Sequence, residues 1–257
     1  MTKKTIYKTT EQIEAIRKAG SYLNQLLLLV RDHAKEGVSL IALEQLAEAF
    51  VQKNGIVGSF KWFQGFPANL CLSVNECVVH GIPDNYCLKN GDLLKIDAGV
   101  TYNEGIADSA ISIVIGGDDK NPVAAALVRA TKEALDKSLP YIVPGRSMYD
   151  FGKSVYTHMV SRGFKIIKNL TGHGVGVLVH EWPIVYNRPH PDMKWVTFQP
   201  WMVLALEPIT SQRSERFVED ETIPRNLYTE HKDLGAQREY TLAVTASGYE
   251  ILAGITE

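Results

Sequence analysis

Cysteine is scarce in this chain, and the few copies present form no recognisable framework. Three cysteines occur among 257 residues, at positions 71, 77 and 87. Their spacing matches no zinc-knuckle pattern, and an odd number cannot be fully paired within one chain. The sequence therefore argues against a disulfide-stapled scaffold and indicates a reducing compartment, the cytoplasm.

The chain also lacks an excess of charge and a long apolar run. Lysine and arginine number 27 against 29 acidic residues, and no basic cluster interleaves with aromatic side chains. Nucleic-acid binding therefore has no electrostatic support. The longest aliphatic run, residues 26–30, is too short to cross a bilayer. The N-terminal residues show no signal-type apolar core, so we expect a cytoplasmic protein that binds no membrane.

No linker rich in proline, glycine or serine divides the chain, so we expect a single catalytic domain over residues 1–257. The composition, 45% hydrophobic and 22% charged, supplies an ordinary globular core. Apolar stripes and capping residues predict helices over residues 11–34, 40–53, 122–137 and 148–162. Strand-like segments and turn signals follow each pair of helices.

The two helix pairs repeat at a fixed offset. Gly37, Ser39 and Gly55 each have an identical residue 108 positions later, and each set reads as turn glycine, helix cap and helix stop. Three matches of small residues could arise by chance, but the order helix, helix, strand, strand also recurs. We therefore predict an α+β fold of two pseudo-symmetric halves, about residues 10–118 and 119–257, with helices packed on curved, largely antiparallel strands.

Two histidines stand seven residues apart in a stretch of glycine and apolar residues, 172–183. His173 lies between glycines, where the backbone can approach a ligand closely. The apolar run 175–179 predicts a buried strand that ends at His180, which would then point into a polar cavity. A lone histidine on such a strand is more often a packed core residue, so this interpretation depends on what lies elsewhere.

Four acidic residues likewise interrupt or end apolar strands: Asp97, Asp108, Glu207 and Glu239. A turn signal at residues 103–105 separates the first two, and a hairpin centred between residues 102 and 103 would place them directly opposite each other. The alternatives are a bulged turn or one aspartate facing solvent. Carboxylates buried at strand ends are costly unless they are paired or coordinated.

Together with His173, the four acids indicate a metal site. Four carboxylates carry a charge of −4, which two divalent cations neutralise and one does not. A donor set of oxygens with one imidazole suits manganese, iron(II) or cobalt(II) better than a thiolate-type structural zinc site. The sequence therefore predicts an open, catalytic centre with two metal ions.

With these residues identified, the chain resembles the type I methionine aminopeptidases of the pita-bread fold. The resemblance covers nearly the whole chain, and its matching blocks are residues 71–84, 95–97, 107–108, 172–176, 180–181, 202–208 and 236–241. It implies removal of the initiator methionine from nascent polypeptides whose second residue is small. It also implies a cytoplasmic monomer that meets its substrate at the ribosome, with two divalent ions (cobalt, manganese, iron(II) or zinc).

The resemblance assigns roles to individual residues. Asp97, Asp108, His173, Glu207 and Glu239 become the metal ligands, with Asp108 and Glu239 bridging the two ions. The remaining assignments are the substrate-contacting histidines His80 and His180, the general base Glu207, and the pocket walls Cys71, Phe66 and Trp62. Each of those three wall residues could equally be an ordinary core residue of its loop.

Some positions depart from the family pattern. Tyr240 stands where histidine usually follows the last ligand, and Val179 stands where an aromatic residue commonly lines the methionine pocket. Residues 225–228 lack a frequent tryptophan, and Ala98 and Gly99 replace bulkier residues. These departures put the side-chain preference in doubt and leave the chemistry intact.

Three alternatives stay open from sequence. A prolidase or proline-specific aminopeptidase has the same metal ligands but usually carries a large N-terminal domain, which we do not expect here. A binding module of this fold would be expected to have lost ligands. A metal-storage or structural-metal protein would need no paired histidines outside the ligand set.

Overall fold

The computed structural model describes residues 4–219 and 225–256. Within them, four α-helices begin and end within two residues of their predicted bounds. They are α1 (Thr10–His33), α2 (Leu40–Asn54), α3 (Pro122–Ser138) and α4 (Met148–Ser161). In the described part of the chain, no helix is long and apolar enough to span a membrane.

Helix ends agree with the predicted capping chemistry. The Thr9 side chain accepts from the backbone of Gln12 while the Gln12 side chain accepts from the backbone of Thr9, a complete capping box. Ser39 and Ser147 cap α2 and α4. Gly37 and its counterpart 108 residues later both have φ of 82°, a left-handed conformation that favours glycine. These matching details support the duplication, which stays a prediction.

The strands are short and pair antiparallel. In chain order they are β1 (Val57–Gly58), β2 (Leu70–Val74), β3 (Cys77–Val79), β4 (Leu93–Tyr102), β5 (Gly105–Val114), β6 (Lys165–Ile166), β7 (Thr171–Gly174), β8 (Glu181–Tyr186), β9 (Val203–Leu206), β10 (Ile209–Ser211), β11 (Phe217–Glu219), β12 (Leu227–Thr229), β13 (Gly235–Gln237), β14 (Tyr240–Val244) and β15 (Tyr249–Ala253). The largest sheet has the order β15-β14-β9-β7-β8, and β4 pairs with β1, β2 and β5 in a second sheet. Two three-stranded sheets, β13-β10-β6 and β11-β12-β3, complete the mixed α+β architecture.

Two apolar cores hold the helices against the strands. One core joins α1 and α2 to β4 and β5, and the other joins α3 and α4 to β9 and β14. Their apolar contacts are the main favourable term in folding. The five predicted metal ligands lie on or directly beside strands of the two largest sheets: Asp97 on β4, Asp108 on β5, His173 on β7, Glu207 after β9 and Glu239 before β14.

The β4–β5 hairpin turns later than predicted. Tyr102 pairs with Gly105, so the turn residues are Asn103 and Glu104, and both have positive φ (44° and 65°) as a type I′ turn requires. Asp97 is therefore opposite Ala110 rather than Asp108, and Asp108 is opposite Gly99. The prediction of directly opposed aspartates was wrong. The two side chains still share a face of the hairpin, since they are diagonal neighbours two positions apart.

The apolar run 175–179 is not a strand. It forms a loop between β7 and β8, and Leu178 within it is 55% exposed. The prediction was wrong because a short apolar run has no periodicity that fixes its secondary structure. His180 nevertheless comes directly before a strand, β8, rather than ending one.

Candidate metal centre and substrate cavity

A cavity of about 670 Å³ opens between the two cores. All five predicted metal ligands and both predicted substrate histidines line it. The set is Asp97, Asp108, His173, Glu207, Glu239, His80 and His180. Side chains separated by up to 159 positions, His80 and Glu239, thus meet at one place.

Hydrogen bonds between β5 and the segment leading into β14 hold Asp108 and Glu239 in place. The Asp108 amide donates to the Thr241 hydroxyl at 2.9 Å, and that hydroxyl donates to the Asp108 carbonyl at 2.6 Å. Ser109 Oγ donates to the Glu239 carbonyl at 2.7 Å, and the Glu239 amide donates to the Ala110 carbonyl at 3.0 Å. These bonds join the two sheets and fix both carboxylates side by side.

Gln237, which sequence reasoning did not single out, bridges two other acids. Its side-chain amide donates to Glu207 Oε2 at 3.1 Å and lies 3.4 Å from Asp97 Oδ2. Gln237 ends β13 and Glu239 precedes β14, which belongs to another sheet, so no single strand pattern in the sequence joins the two residues. The amide orients one oxygen of each carboxylate, and Asp97 Oδ1 is left without a hydrogen-bond partner among the described residues.

His173 is oriented by its own strand. Its Nδ1 lies 2.9 Å from the carbonyl oxygen of Gly174, and because a carbonyl only accepts, Nδ1 carries a proton. Nε2 then faces Glu207 Oε1 at 3.3 Å. An imidazole held through one nitrogen by a carbonyl is the usual arrangement of a metal-binding histidine, because the other nitrogen offers its lone pair.

Three of these side chains are close enough to bind one ion together. Ligand atoms of Asp108, His173 and Glu239 lie within 4.8 Å of one another. Oδ1 of Asp97 and Oδ1 of Asp108 are buried without a hydrogen-bond partner among the described residues. Buried carboxylate oxygens without partners are costly, and divalent cations are the partners that this oxygen-rich set fits.

The electrostatics of the cluster also favour a cation. Burial raises the pKa of Asp97, Asp108 and Glu239 well above the ordinary range, and the neighbouring carboxylates raise each pKa further. Without a cation, the cluster must take up protons or hold several like charges in a dry site. A charge of +4 from two divalent ions removes that conflict, so the residues present fit the two ions that the sequence implied.

The two cavity histidines outside the predicted ligand set, His80 and His180, are neutral. Burial, together with the nearby His173 and His80, lowers the pKa of His180 to about 3. Loss of water from the packed cavity also lowers the pKa of His80, against the opposing effect of Glu207. The His180 ring stands edge-on to His173, 4.4 Å between ring centroids, and to Phe63 at 5.4 Å. Each ring therefore offers one N–H donor and one acceptor nitrogen to a ligand in the cavity.

Apolar side chains form the rest of the cavity wall. Of the predicted wall residues, Phe66 and Cys71 line the cavity, whereas Trp62 does not and is 72% exposed. Residue 62 has φ of 72° at the start of a short 3₁₀ turn, which directs the indole outward. Val179 lines the wall and is buried. Sequence reasoning missed further wall residues because single aromatic and aliphatic side chains in loops carry no distinctive signal: Phe60, Phe63, Val79, Ile184, Phe217 and Leu227.

Known proteins resemble this chain over nearly its whole length. The sequence profile of metallopeptidase family M24 matches residues 14–246. A methionine aminopeptidase of Clostridium perfringens is 34% identical over 247 residues, which cover 96% of this chain and 98% of the relative. The crystal structure of a methionine aminopeptidase from Thermotoga maritima superimposes with a TM-score of 0.93 at 32% identity, covering 98% and 100% of the two chains. A prolidase from Pyrococcus furiosus, at 22% identity and a TM-score of 0.78, shares the fold over 98% of this chain and 66% of its own.

Proposed function

This chain belongs to metallopeptidase family M24, and on that premise we propose that it hydrolyses the first peptide bond of polypeptides that begin with methionine. It is a metal-dependent methionyl aminopeptidase, and its substrates are nascent proteins and peptides whose second residue is small. One observation carries the proposal: buried carboxylates with unpartnered oxygens converge with neutral histidines at an apolar cavity.

The metal ligands are Asp97, Asp108, His173, Glu207 and Glu239. The donor set, the free carboxylate oxygens and the raised pKa values of the buried acids support this assignment. The ions are divalent, from cobalt, manganese, iron(II) and zinc. When bound, two such ions supply an activated water as nucleophile and polarise the carbonyl that is attacked.

The protein's own side chains handle the protons. Glu207, a residue of the cavity lining, acts as general base; Gln237 holds its Oε2, and its Oε1 lies 3.3 Å from His173 Nε2. His180, a neutral N–H donor, hydrogen-bonds the carbonyl oxygen as negative charge develops on it. His80 contacts the leaving amide nitrogen and assists its protonation.

The cavity wall selects the side chain that is removed. Phe66 packs in one apolar cluster with Cys71 of β2, and an unbranched thioether packs well on such aromatic edges. Val179 occupies less volume than an aromatic residue would. The enzyme therefore accepts methionine and rejects leucine or norleucine less strictly than a closer-packed cavity would.

The substrate defines the cellular setting. Initiator methionine is exposed on nascent chains in the cytoplasm, so the enzyme meets it there, at the ribosome. It acts as a monomer, with the whole chain forming a single catalytic domain. Neither nucleic acid nor membrane enters the reaction.

The direct test is release of free methionine from Met-Gly-Met. Chelated protein should release none, and manganese, cobalt(II) or iron(II) should restore release. Asp108→Ala should lose bound metal and activity together, whereas the matched control Asp118→Ala, at an exposed ion pair with Arg129, should keep both. Full activity of metal-free protein would refute the metal centre, and cleavage restricted to Met-Pro peptides would reassign the enzyme to proline-specific hydrolysis.

A further inference from the structure

Lys8 and Glu181 form an ion pair that is almost wholly removed from solvent. Lys8 is 4% exposed and Glu181 is 3% exposed, and Lys8 Nζ donates to a Glu181 carboxylate oxygen and to the Ile6 carbonyl at 3.0 Å. Replacing such a pair by apolar residues of equal volume is often neutral or stabilising. Stability alone therefore does not account for it.

Glu181 uses its other oxygen to hold the loop that carries His180. Oε1 accepts the amide of Val177 at 2.7 Å and the amide of Leu178 at 2.9 Å, while Oε2 receives Lys8. Both amides belong to the loop of residues 175–180, whose last two residues line the cavity. The orientation of one carboxylate thus sets the path of this loop.

The aliphatic part of the Lys8 side chain also packs against this loop, next to Gly176. A Cβ at Gly176, where φ is +132°, would lie 2.8 Å from Lys8 Cε and 2.7 Å from Ile16 Cδ1, so only glycine allows the close approach. The Lys8 amide donates to the Trp201 carbonyl at 2.8 Å, which anchors the lysine to the loop that precedes β9. Lys8 is therefore held in place by contacts other than its ion pair.

We propose that Lys8 is a positioning residue for the aminopeptidase reaction, acting through Glu181 to fix the 175–180 loop so that His180 is aligned before substrate binds. The inference rests on the proposed function. A donor aligned in advance needs no reorganisation when charge develops on the carbonyl oxygen. The N-terminal segment thereby contributes to catalysis without touching the substrate.

The test compares Lys8→Met with Lys4→Met, an exposed lysine of the same segment. On Met-Gly-Met with metal added, Lys8→Met should lower kcat by about 10- to 100-fold, the range for a slightly misplaced catalytic group. KM should change by less than about threefold and bound metal should not change. Lys4→Met should match the wild type. Equal kcat for Lys8→Met and wild type would overturn the inference, whereas a wild type that releases no methionine would overturn the proposed function itself.

A double variant shows whether Lys8 acts through His180. Adding Lys8→Met to His180→Ala should reduce kcat by less than about threefold further, because the loop no longer carries the group that needs alignment. Independent, multiplying losses would refute the inference. If Lys8→Met alone is unfolded, Lys8→Met with Glu181→Gln leaves no unpaired buried charge while the glutamine oxygen still accepts both loop amides. This double variant, Lys8→Met with Glu181→Gln, should fold and recover part of kcat. A kcat equal to that of the wild type would again refute a role for the charge of Lys8.

Discussion

Replacing His180 with alanine tests how the cavity divides binding from catalysis. The His180 ring packs edge-on against His173 and Phe63, and its pKa is lowered to about 3 by burial and by the two neighbouring histidines. From pH 5 to 9 the ring is therefore neutral. The substitution removes one uncharged N–H donor and no formal charge.

The expected loss of kcat follows from the position proposed for this N–H donor, beside the substrate carbonyl oxygen. Removing one hydrogen bond to a developing oxyanion typically lowers kcat by about 10²- to 10³-fold, or about 2.7–4 kcal/mol of activation free energy. The bond strengthens only as charge develops, so KM should stay nearly constant. Metal content should also be unchanged, because the closest group of ligand atoms comes from Asp108, His173 and Glu239.

The assay measures kcat and KM for methionine release together with bound metal. His190→Ala is the matched control, since His190 stacks on Tyr186 with 3.9 Å between ring centroids and does not line the cavity. The pH profiles carry a further expectation. Because the pKa of His180 is about 3, its removal should delete no inflection between pH 5 and 8. Unchanged kcat, loss of metal, or a vanished inflection in that range would each refute the assigned role.

Three further predictions concern selectivity and stability. Val179→Phe should raise the methionine-to-leucine ratio of kcat/KM by about 10-fold, because an extra aromatic wall contact is worth about 1–3 kcal/mol of discrimination; an unchanged ratio would remove this residue from the wall. Folding raises the pKa of the buried carboxyls, so the metal-free folded protein binds more protons than its unfolded chain. Its melting temperature should therefore fall as pH rises from 5 to 8, and manganese should restore it. A melting temperature of the metal-free protein that does not change with pH would contradict this. Tyr240→Phe removes a hydroxyl that donates to Asp136 Oδ1 at 2.9 Å and should cost about 1–3 kcal/mol of unfolding free energy, measured by urea denaturation, where an unchanged midpoint would contradict it.

The helices could be predicted closely because their signals are local. A capping box at Thr9, a serine cap before α2 and a left-handed glycine after it act within a few residues of the helix end. The hairpin register could not be fixed in the same way. It depends on whether residues 102 and 103 or residues 103 and 104 form the turn, and either choice keeps both aspartates on strand-like segments.

The convergence of the acidic residues could be predicted because burying a carboxylate is costly wherever it occurs. An acid that interrupts an apolar strand requires a partner, and several such acids with a histidine but no matching arginines require a cation. Gln237 could not be predicted in this way, because the chain passes from one sheet to another between Gln237 and Tyr240. Wall residues such as Phe63 and Ile184 gave no such signal, since apolar side chains are common in every core.

The role that we propose for Lys8 could not be predicted from the sequence. Its partner Glu181 is 173 residues away, and a lysine before a capped helix is ordinarily a solvated residue. Only the fold shows that the lysine is buried and that the same carboxylate accepts two loop amides. Burying that pair is costly for folding, and under our proposal the benefit is the alignment of His180, the residue directly before Glu181. A sequence pattern reflects the interactions of a residue within its own segment. A residue that acts entirely on another segment therefore produces no recognisable pattern.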